Sequence, residues 1–538
     1  MSAVFDFADR LTDEAFELDP IIQTDAGLPT DQWPDWSPDG RARVREWAGR
    51  RSAEVAALPA DDRWDRLGVT VMASDLALAE EAATPAEYRR DLNSIWSPPQ
   101  RVRDAFDSMA KETDDDWGLV AHRLENIGPA LDGYRRSLSD GIASGDVVAA
   151  RQADDVVRQL REHARPGRFF DLLAREGADR AIDGAIESGR AAFLALADWL
   201  ESEYLPVADP VDAVGPDRYW TGVRHSVRLG SLDLDETYAW AWDEVHRLHD
   251  RMGIAAAAIT GDGIAPAYQL LKTDPDRAAH GAEAFRDFIA ERLEVAQREL
   301  TGTHFDIPEP LHRLDVQVSP PGGSLGAEYR QPSEDLSRPG AVVYHPGGKH
   351  VFPLYDEVST AYHEGFPGHH LQSGMQVYLG DRLTRFHRLL SWNSGYGEGW
   401  ALYAEHLMDE LGFYERPDYE LGLLANQMLR ACRVVVDIGL HLDKPVPTNR
   451  FGIEAWDFES AVRMLEEVAF LAPDYATSEV TRYLGWPGQA ISYKVGERFI
   501  LGLRDEARRT DWYTDKEFHA RVVGHGPVEL ETLRELVL

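Results

Sequence analysis

The sequence predicts a mostly α fold with one small β element, and three observations carry that prediction. Residues from about 40 to 205 repeat apolar positions three and four apart, as in AEEAATPAEYRRDLNSIW, DVVAARQADDVVRQLREHA and GAIESGRAAFLALADWLESEYL. The same period returns in LDLDETYAWAWDEVHRLHDRM and HGAEAFRDFIAERLEVAQREL. The texture changes between about 313 and 350, where RLDVQVSPPGGSLGAEYRQPSEDLSRPGAVVYHPGGKH is rich in Gly and Pro. Its short apolar runs, Leu314 to Val318 and Ala341 to Tyr344, read as strands joined by turns. The expected β element is a small irregular sheet, a single hairpin being one form of it.

The 538 residues suffice for large cores, and 15 Trp offer much apolar area to bury. The stretch LPVADPVDAVGPDRYW, with Pro206, Pro210 and Pro216, is the best boundary candidate. It divides the chain into an N-terminal helical region, 1–215, and a catalytic helical region, 216–538, that contains the β element at about 313–350, the alternative being one continuous two-lobed domain.

Lys and Arg number 56 against 93 Asp and Glu, a net charge of −37. A polyanion is held by basic side chains, so nucleic acid is excluded as a partner, and an anionic membrane face with it. No run of about 18 apolar residues occurs, so no membrane span is expected. The single cysteine, Cys432, leaves no intrachain disulfide and no cysteine-based metal site. The first residues, MSAVFDFADRLTDEAFELD, lack a basic region and an apolar core, so they do not read as a secretory signal. A reducing, cytoplasmic location is the expectation.

The segment DEVSTAYHEGFPGHHLQ, Asp356 to Gln372, carries chemistry. It places His363, Glu364, His369 and His370 within eight residues. Imidazoles and carboxylates are ligands zinc prefers. The usual zinc helix is H-E-x-x-H, with the Glu as general base. Here the residue four after His363 is Pro367, so that spacing fails. On a straight helix the residue six on lies about 240° away, and the residue seven on returns near 340° but about 10 Å along the axis. Pro367 and Gly368 supply a break that brings His363 and His369 to one ion. His369 is preferred to His370, and a structural His/Glu cluster on a solvated helix is the alternative.

A second helix, GYGEGWALYAEHLMDELG, offers Glu398 as third ligand, 35 positions after His363. Glu405 lies seven residues further on the same face. It is either an acceptor for a hydrogen bond from a liganding His or a surface acid. A third, nearly all-apolar helix, LGLLANQMLRACRVVVDIGLHLD, carries Asn426, Arg430, Arg433, Asp437 and His441 in one stripe. Such a stripe lines a polar cavity or an internal ion-pair network, an Arg433–Asp437 pair among them. His441 is the member expected to face substrate. A fourth segment, TSEVTRYLGWPGQAISYKVGERFI, supplies Arg482 and Tyr493 as candidate oxyanion donors, or as buried hydrogen-bonded side chains.

These blocks, HEGFPGHHLQ, EGWALYAE, the Arg430/Asp437/His441 helix and EVTRYLGWPGQAISYKVG, resemble in order the bacterial domain-of-unknown-function family 885, specifically across about 325 to 500. That family is similar to helical zinc metallopeptidases of the gluzincin type. The resemblance implies a large helical metallopeptidase-like fold with a cleft and a short β element beside it. It also implies His363, His369 and Glu398 as ligands of one Zn²⁺ per chain, and Glu364 as base. The expected function is hydrolysis of short peptides by metal-activated water, with Tyr493, His441 or Arg482 stabilising the oxyanion. The strand Val342 to Tyr344 is expected to hold an extended peptide by edge pairing. The rival readings are an amidohydrolase, a non-haem iron enzyme on the same two-His-one-carboxylate set, and an inactive peptide-binding relic.

Overall fold

Helices start where side chains satisfy the first free amides. Ser37 caps the Pro38–Val55 helix by accepting from the Gly40 amide, with Pro38 in the first turn, where an amide hydrogen is not needed. Asp62 caps Arg63–Ala82 by accepting from the amides of Trp64 and Asp65. The protein, described by a computed structural model over residues 2–319 and 326–538, is mostly α with a small β element. Residues 320–325, part of the Gly- and Pro-rich stretch read above as turns, lie outside the described residues. Among the described residues no helix is long and apolar enough to cross a membrane.

The chain divides into two units. The first comprises Met1–Ala213, Asp381–Ser391 and Leu484–Trp486. Its larger core gathers Trp36, Phe106, Tyr134, Phe170, Phe193 and Tyr204, each almost fully buried. Burying such a side chain contributes about 1.5–3 kcal/mol. Arg123 also lies inside, where its guanidinium donates to the carbonyls of Pro20 and Gln32 and sits 4.7 Å from the Trp33 ring. Burial lowers its pKa to about 10.

The second unit comprises Val214–Gly380, Trp392–Tyr483 and Pro487–Leu538. The long helices Leu234–Ile259 and Pro417–His441 pack along one another. Pro417–His441 is buried on nearly every face, as its almost continuous apolar sequence requires. Ser394–Glu410 packs on Ser492–Ala507, and glycines set how closely. A Cβ on Gly399 would lie 2.5 Å from the Gly496 carbonyl carbon, and one on Gly496 would lie 2.0 Å from the Gly395 oxygen. The two backbones therefore touch where the Glu398 segment begins.

The strands are β1 (Ala278–His280), β2 (Leu314–Val318), β3 (Gly326–Arg330), β4 (Gly340–His345) and β5 (Val351–Pro353). β1 and β5 form an antiparallel pair. The other three form a sheet in the order β2-β4-β3, with β4 parallel to β2 and antiparallel to β3. The runs Leu314–Val318 and Ala341–Tyr344 are strands, as expected. The edge role assigned to Val342–Tyr344 is corrected. Val342 stands between Val316 on β2 and Tyr329 on β3, so β4 has a neighbour on both sides. Its near-continuous burial is what an all-apolar central strand requires. The strand flanked on one side only, beside the cleft described next, is β3.

Candidate metal centre

The HEGFPGHH segment folds as two helices joined by a sharp bend. Glu357–Glu364 ends at Gly365, and His369–Tyr378 starts four residues later. The Phe366–Pro367 peptide between them is cis. The Gly368 amide donates to the Tyr362 carbonyl at 3.0 Å, and the His370 amide to Gly365 at 3.2 Å. Position 368 admits only glycine, because a Cβ there would lie 1.9 Å from the His363 oxygen. The Trp400 indole donates to the carbonyls of Pro367 and Gly368, at 2.9 and 3.2 Å, which holds the bend against the Ser394–Glu410 helix.

His363 therefore leaves the end of one helix, His369 the start of the next, and Glu398 the first turns of a third. The three offer ligand atoms that all lie within 4.8 Å of one another. Glu398 Oε2 is 3.3 Å from His363 Nε2 and 3.6 Å from His369 Nε2. Tetrahedral ligands held about 2.0–2.1 Å from zinc stand about 3.3 Å apart, so these separations fit one ion. Glu398 Oε2 is also buried and receives no hydrogen bond. Burial works against the Glu398 carboxylate, but the imidazoles of His363 and His369 outweigh it and hold its pKa below the ordinary range.

His370 points elsewhere. Its Nε2–H donates to the Leu311 carbonyl at 2.8 Å, and its Nδ1 accepts from the Tyr329 hydroxyl at 3.1 Å. Burial pushes its pKa down to about 4, so the ring is neutral. Both nitrogens are used, and it is His369 that joins His363 and Glu398 in the cluster.

Glu405 is 1% exposed, and its Oε1 accepts from His363 Nδ1–H at 2.7 Å. Its Oε2 accepts from Ser359 Oγ at 2.8 Å and from Gln427 Nε2 at 3.3 Å. Gln427 is oriented in turn by Lys494, whose ammonium donates to Gln427 Oε1 at 2.6 Å and also meets Glu497 and Glu244. Burial opposes protonation of His363, but Glu398 and Glu405 outweigh it and lift the imidazolium to about 10. Of the two readings of Glu405, the surface acid is excluded by its burial, and the geometry makes it a hydrogen-bond partner of His363.

The cluster opens into a cleft of about 440 Å³, lined on one side by β3 and by Gln331 just beyond it. Glu364, Trp392, Arg430, Arg433 and Tyr493 complete the wall beside His363, His369 and Glu398. Burial holds the Glu364 carboxyl above its ordinary range. Of the predicted residues, the structure brings together His363, Glu364, His369, Glu398 and Tyr493.

It does not bring His441 or Arg482 to the cleft. His441 accepts from the Val214 amide at 3.2 Å and donates to the Tyr483 carbonyl at 3.1 Å. Arg482 is held by Glu479 at 3.0 Å and Gln489 at 2.5 Å. The polar stripe divides along the helix axis, so its cleft-facing members are Arg430 and Arg433 rather than His441. Nor do Arg433 and Asp437 pair. Arg433 donates from Nε and Nη2 to Glu479, at 3.0 and 2.7 Å, and stacks over Tyr493. Asp437 accepts from the Tyr219 hydroxyl and the Gly488 amide, both at 3.0 Å.

Ser359, Gln427, Lys494 and Tyr329 lie within the segments quoted above, but the sequence assigned them no role because the groups they meet come from other segments. The Trp400 indole was visible in EGWALYAE but had no visible partner.

No curated protein matches the chain in sequence. A "putative lipoprotein" from Colwellia psychrerythraea has the same fold, with TM-score 0.81, 21% identity, and coverage of 99% of this chain and 98% of that one. A "putative lipoprotein of unknown function" from Shewanella oneidensis is also similar, with TM-score 0.75, 16% identity and both chains covered completely. The profile of a bacterial protein of unknown function, DUF885, matches residues 20–537, nearly the whole chain, and the chain belongs to that family.

Proposed function

We propose that this protein is a zinc-dependent peptidase acting on short peptides. The observation that carries the reading is the convergence of His363, His369 and Glu398, with Glu364 beside them on the wall of an open cleft. The motif order resembles that of the DUF885 family, and the similarity of that family to helical gluzincin-type metallopeptidases is what suggests the reaction class. Two imidazoles and one carboxylate with an open position form a donor set of catalytic zinc sites. A bound zinc supplies Lewis-acid polarisation of the scissile carbonyl and brings the pKa of a water towards about 7.

The remaining work falls to the chain. Glu364 takes the proton of the attacking water and later hands it to the leaving amine. Tyr493 offers a phenolic hydrogen to the oxygen that gains charge, and the neighbouring Arg433 guanidinium, 4.7 Å from its ring, favours that charge. Glu405 orients His363 through the 2.7 Å hydrogen bond. The cleft-side edge of β3 pairs with an extended substrate backbone.

The test combines metal analysis of untagged protein with hydrolysis of a peptide library followed by mass spectrometry, on the wild type and on Glu364→Gln. The expected result is about one zinc per chain in both, and hydrolysis lost only in the variant. Absence of stoichiometric metal, or iron with oxygen-dependent turnover, overturns the reading.

A further inference from the structure

We infer that Arg430 is a receptor for the substrate's C-terminal carboxylate, which makes the preferred substrates peptides with a free C-terminus cut near that end. This rests on the peptidase reading of the same cleft and specifies its substrate class.

Arg430 and Arg433 both line the cleft beside the metal cluster. Arg433 is committed to Glu479 at 2.7 Å. Arg430 has no carboxylate within ion-pair distance among the described residues. Its Nη1 donates to the Asn426 carbonyl and to Asn426 Oδ1, at 3.2 and 3.3 Å, one turn back on its own helix. Its Nε is buried without an acceptor, and Nη2, which is not buried, makes no hydrogen bond or ion pair among the described residues. The Nε/Nη2 edge is the fork that takes a carboxylate through two parallel hydrogen bonds. A buried donor left without a partner costs free energy, so an arginine held this way is suited to a ligand that supplies the acceptor.

Position adds to the case. The Arg430 charge acts on both Glu364 and Glu405, so the guanidinium lies near the general base and the support of His363. Asn426, which anchors Nη1, donates to the Asp356 carbonyl at 3.4 Å, tying this stretch of helix to the start of the His363 helix. A peptide laid along β3 thus meets the base and an unpaired guanidinium in one cleft. The group every peptide carries that matches this fork is its terminal carboxylate. In an N-acetylated peptide with uncharged side chains the terminal carboxylate is the only charge, which isolates the contact with Arg430.

The test compares N-acetyl-tetraalanine with its C-terminal amide on zinc-loaded wild type, Arg430→Gln and Arg430→Lys. The wild type is expected to favour the acid by about 10- to 150-fold in kcat/KM, the worth of a charge-assisted pair. In Arg430→Gln the acid-to-amide ratio falls by that factor, and Arg430→Lys recovers part of it. Equal cleavage of acid and amide by the wild type, or equal loss of both in Arg430→Gln, overturns the inference. If zinc-loaded wild type cuts no peptide, it is the peptidase reading that fails. Calorimetric titration of both peptides into zinc-loaded Glu364→Gln, with and without Arg430→Gln, then decides the carboxylate site. Arg430-dependent preference for the acid upholds it, and equal binding overturns it. Should Arg430→Gln fail to fold, the acid-to-amide ratio is compared between the wild type and Arg430→Lys. A smaller ratio in Arg430→Lys upholds the inference, and an unchanged ratio overturns it.

Discussion

Replacing Glu405 by Gln is the sharpest perturbation of the proposed centre that leaves all three ligands in place. The carboxylate is 1% exposed and accepts three hydrogen bonds, from His363 at 2.7 Å, Ser359 at 2.8 Å and Gln427 at 3.3 Å. The amide keeps the shape and removes the charge. If its oxygen stays on His363, its NH₂ faces the Gln427 amide, whose own orientation is fixed by the Lys494 ammonium at 2.6 Å. Two donors then oppose each other, so the network loses a bond as well as a charge. Partners of this kind are worth about 10- to 100-fold in metal affinity, or about 1.4–2.7 kcal/mol. Competition for zinc against a chromophoric chelator measures the constant, with circular dichroism as the control for folding. A folded Glu405→Gln protein that binds zinc within about twofold of the wild type refutes the role assigned to Glu405.

Three further outcomes follow from the geometry. If zinc binds the folded cluster and not the dispersed side chains, as proposed, free zinc at about 100 times Kd stabilises by about 2.7 kcal/mol. A thermal melt unchanged by a chelator contradicts that. Gly496→Ala puts a Cβ 2.0 Å from the Gly395 oxygen and pushes the Glu398 helix off its neighbour. Urea denaturation should show a loss of at least about 1–3 kcal/mol, with weaker zinc binding, and a neutral effect would mean the two backbones do not touch. Burial raises Asp437 to about 8, far above its unfolded value, so the folded state holds a proton that the unfolded state releases. Its contribution is fully present below about pH 4 and falls by about 1.4 kcal/mol per pH unit until about pH 8. Relative to wild type, Asp437→Asn should therefore gain stability as pH rises from 5 to 8, and parallel urea-stability curves would show Asp437 ionised throughout.

What was legible in the sequence followed from short-range rules. The 3.6-residue period marked the helices, and the Gly/Pro texture marked the β element with its Leu314–Val318 and Ala341–Tyr344 strands. Pro367 and Gly368 announced the break that separates the helices of His363 and His369. Seven-residue spacing placed Glu398 and Glu405 on one helix face, and both meet His363.

What only the tertiary structure decided was which partner each buried polar group found. A helix face 25 residues long turns steadily, so a stripe legible as continuous meets different neighbours along its length. Arg430 and Arg433 reach the cleft, while Asp437 and His441 close on Tyr219, Gly488, Val214 and Tyr483. His370 was separated from His369 by a strand hydroxyl and a distant carbonyl, those of Tyr329 and Leu311. β4 is central and β2 and β3 are the edges, because β4 takes a parallel partner that local sequence does not encode. Hydrogen bonds inside a core are satisfied by whatever packs nearby, and that proximity is a property of the whole chain.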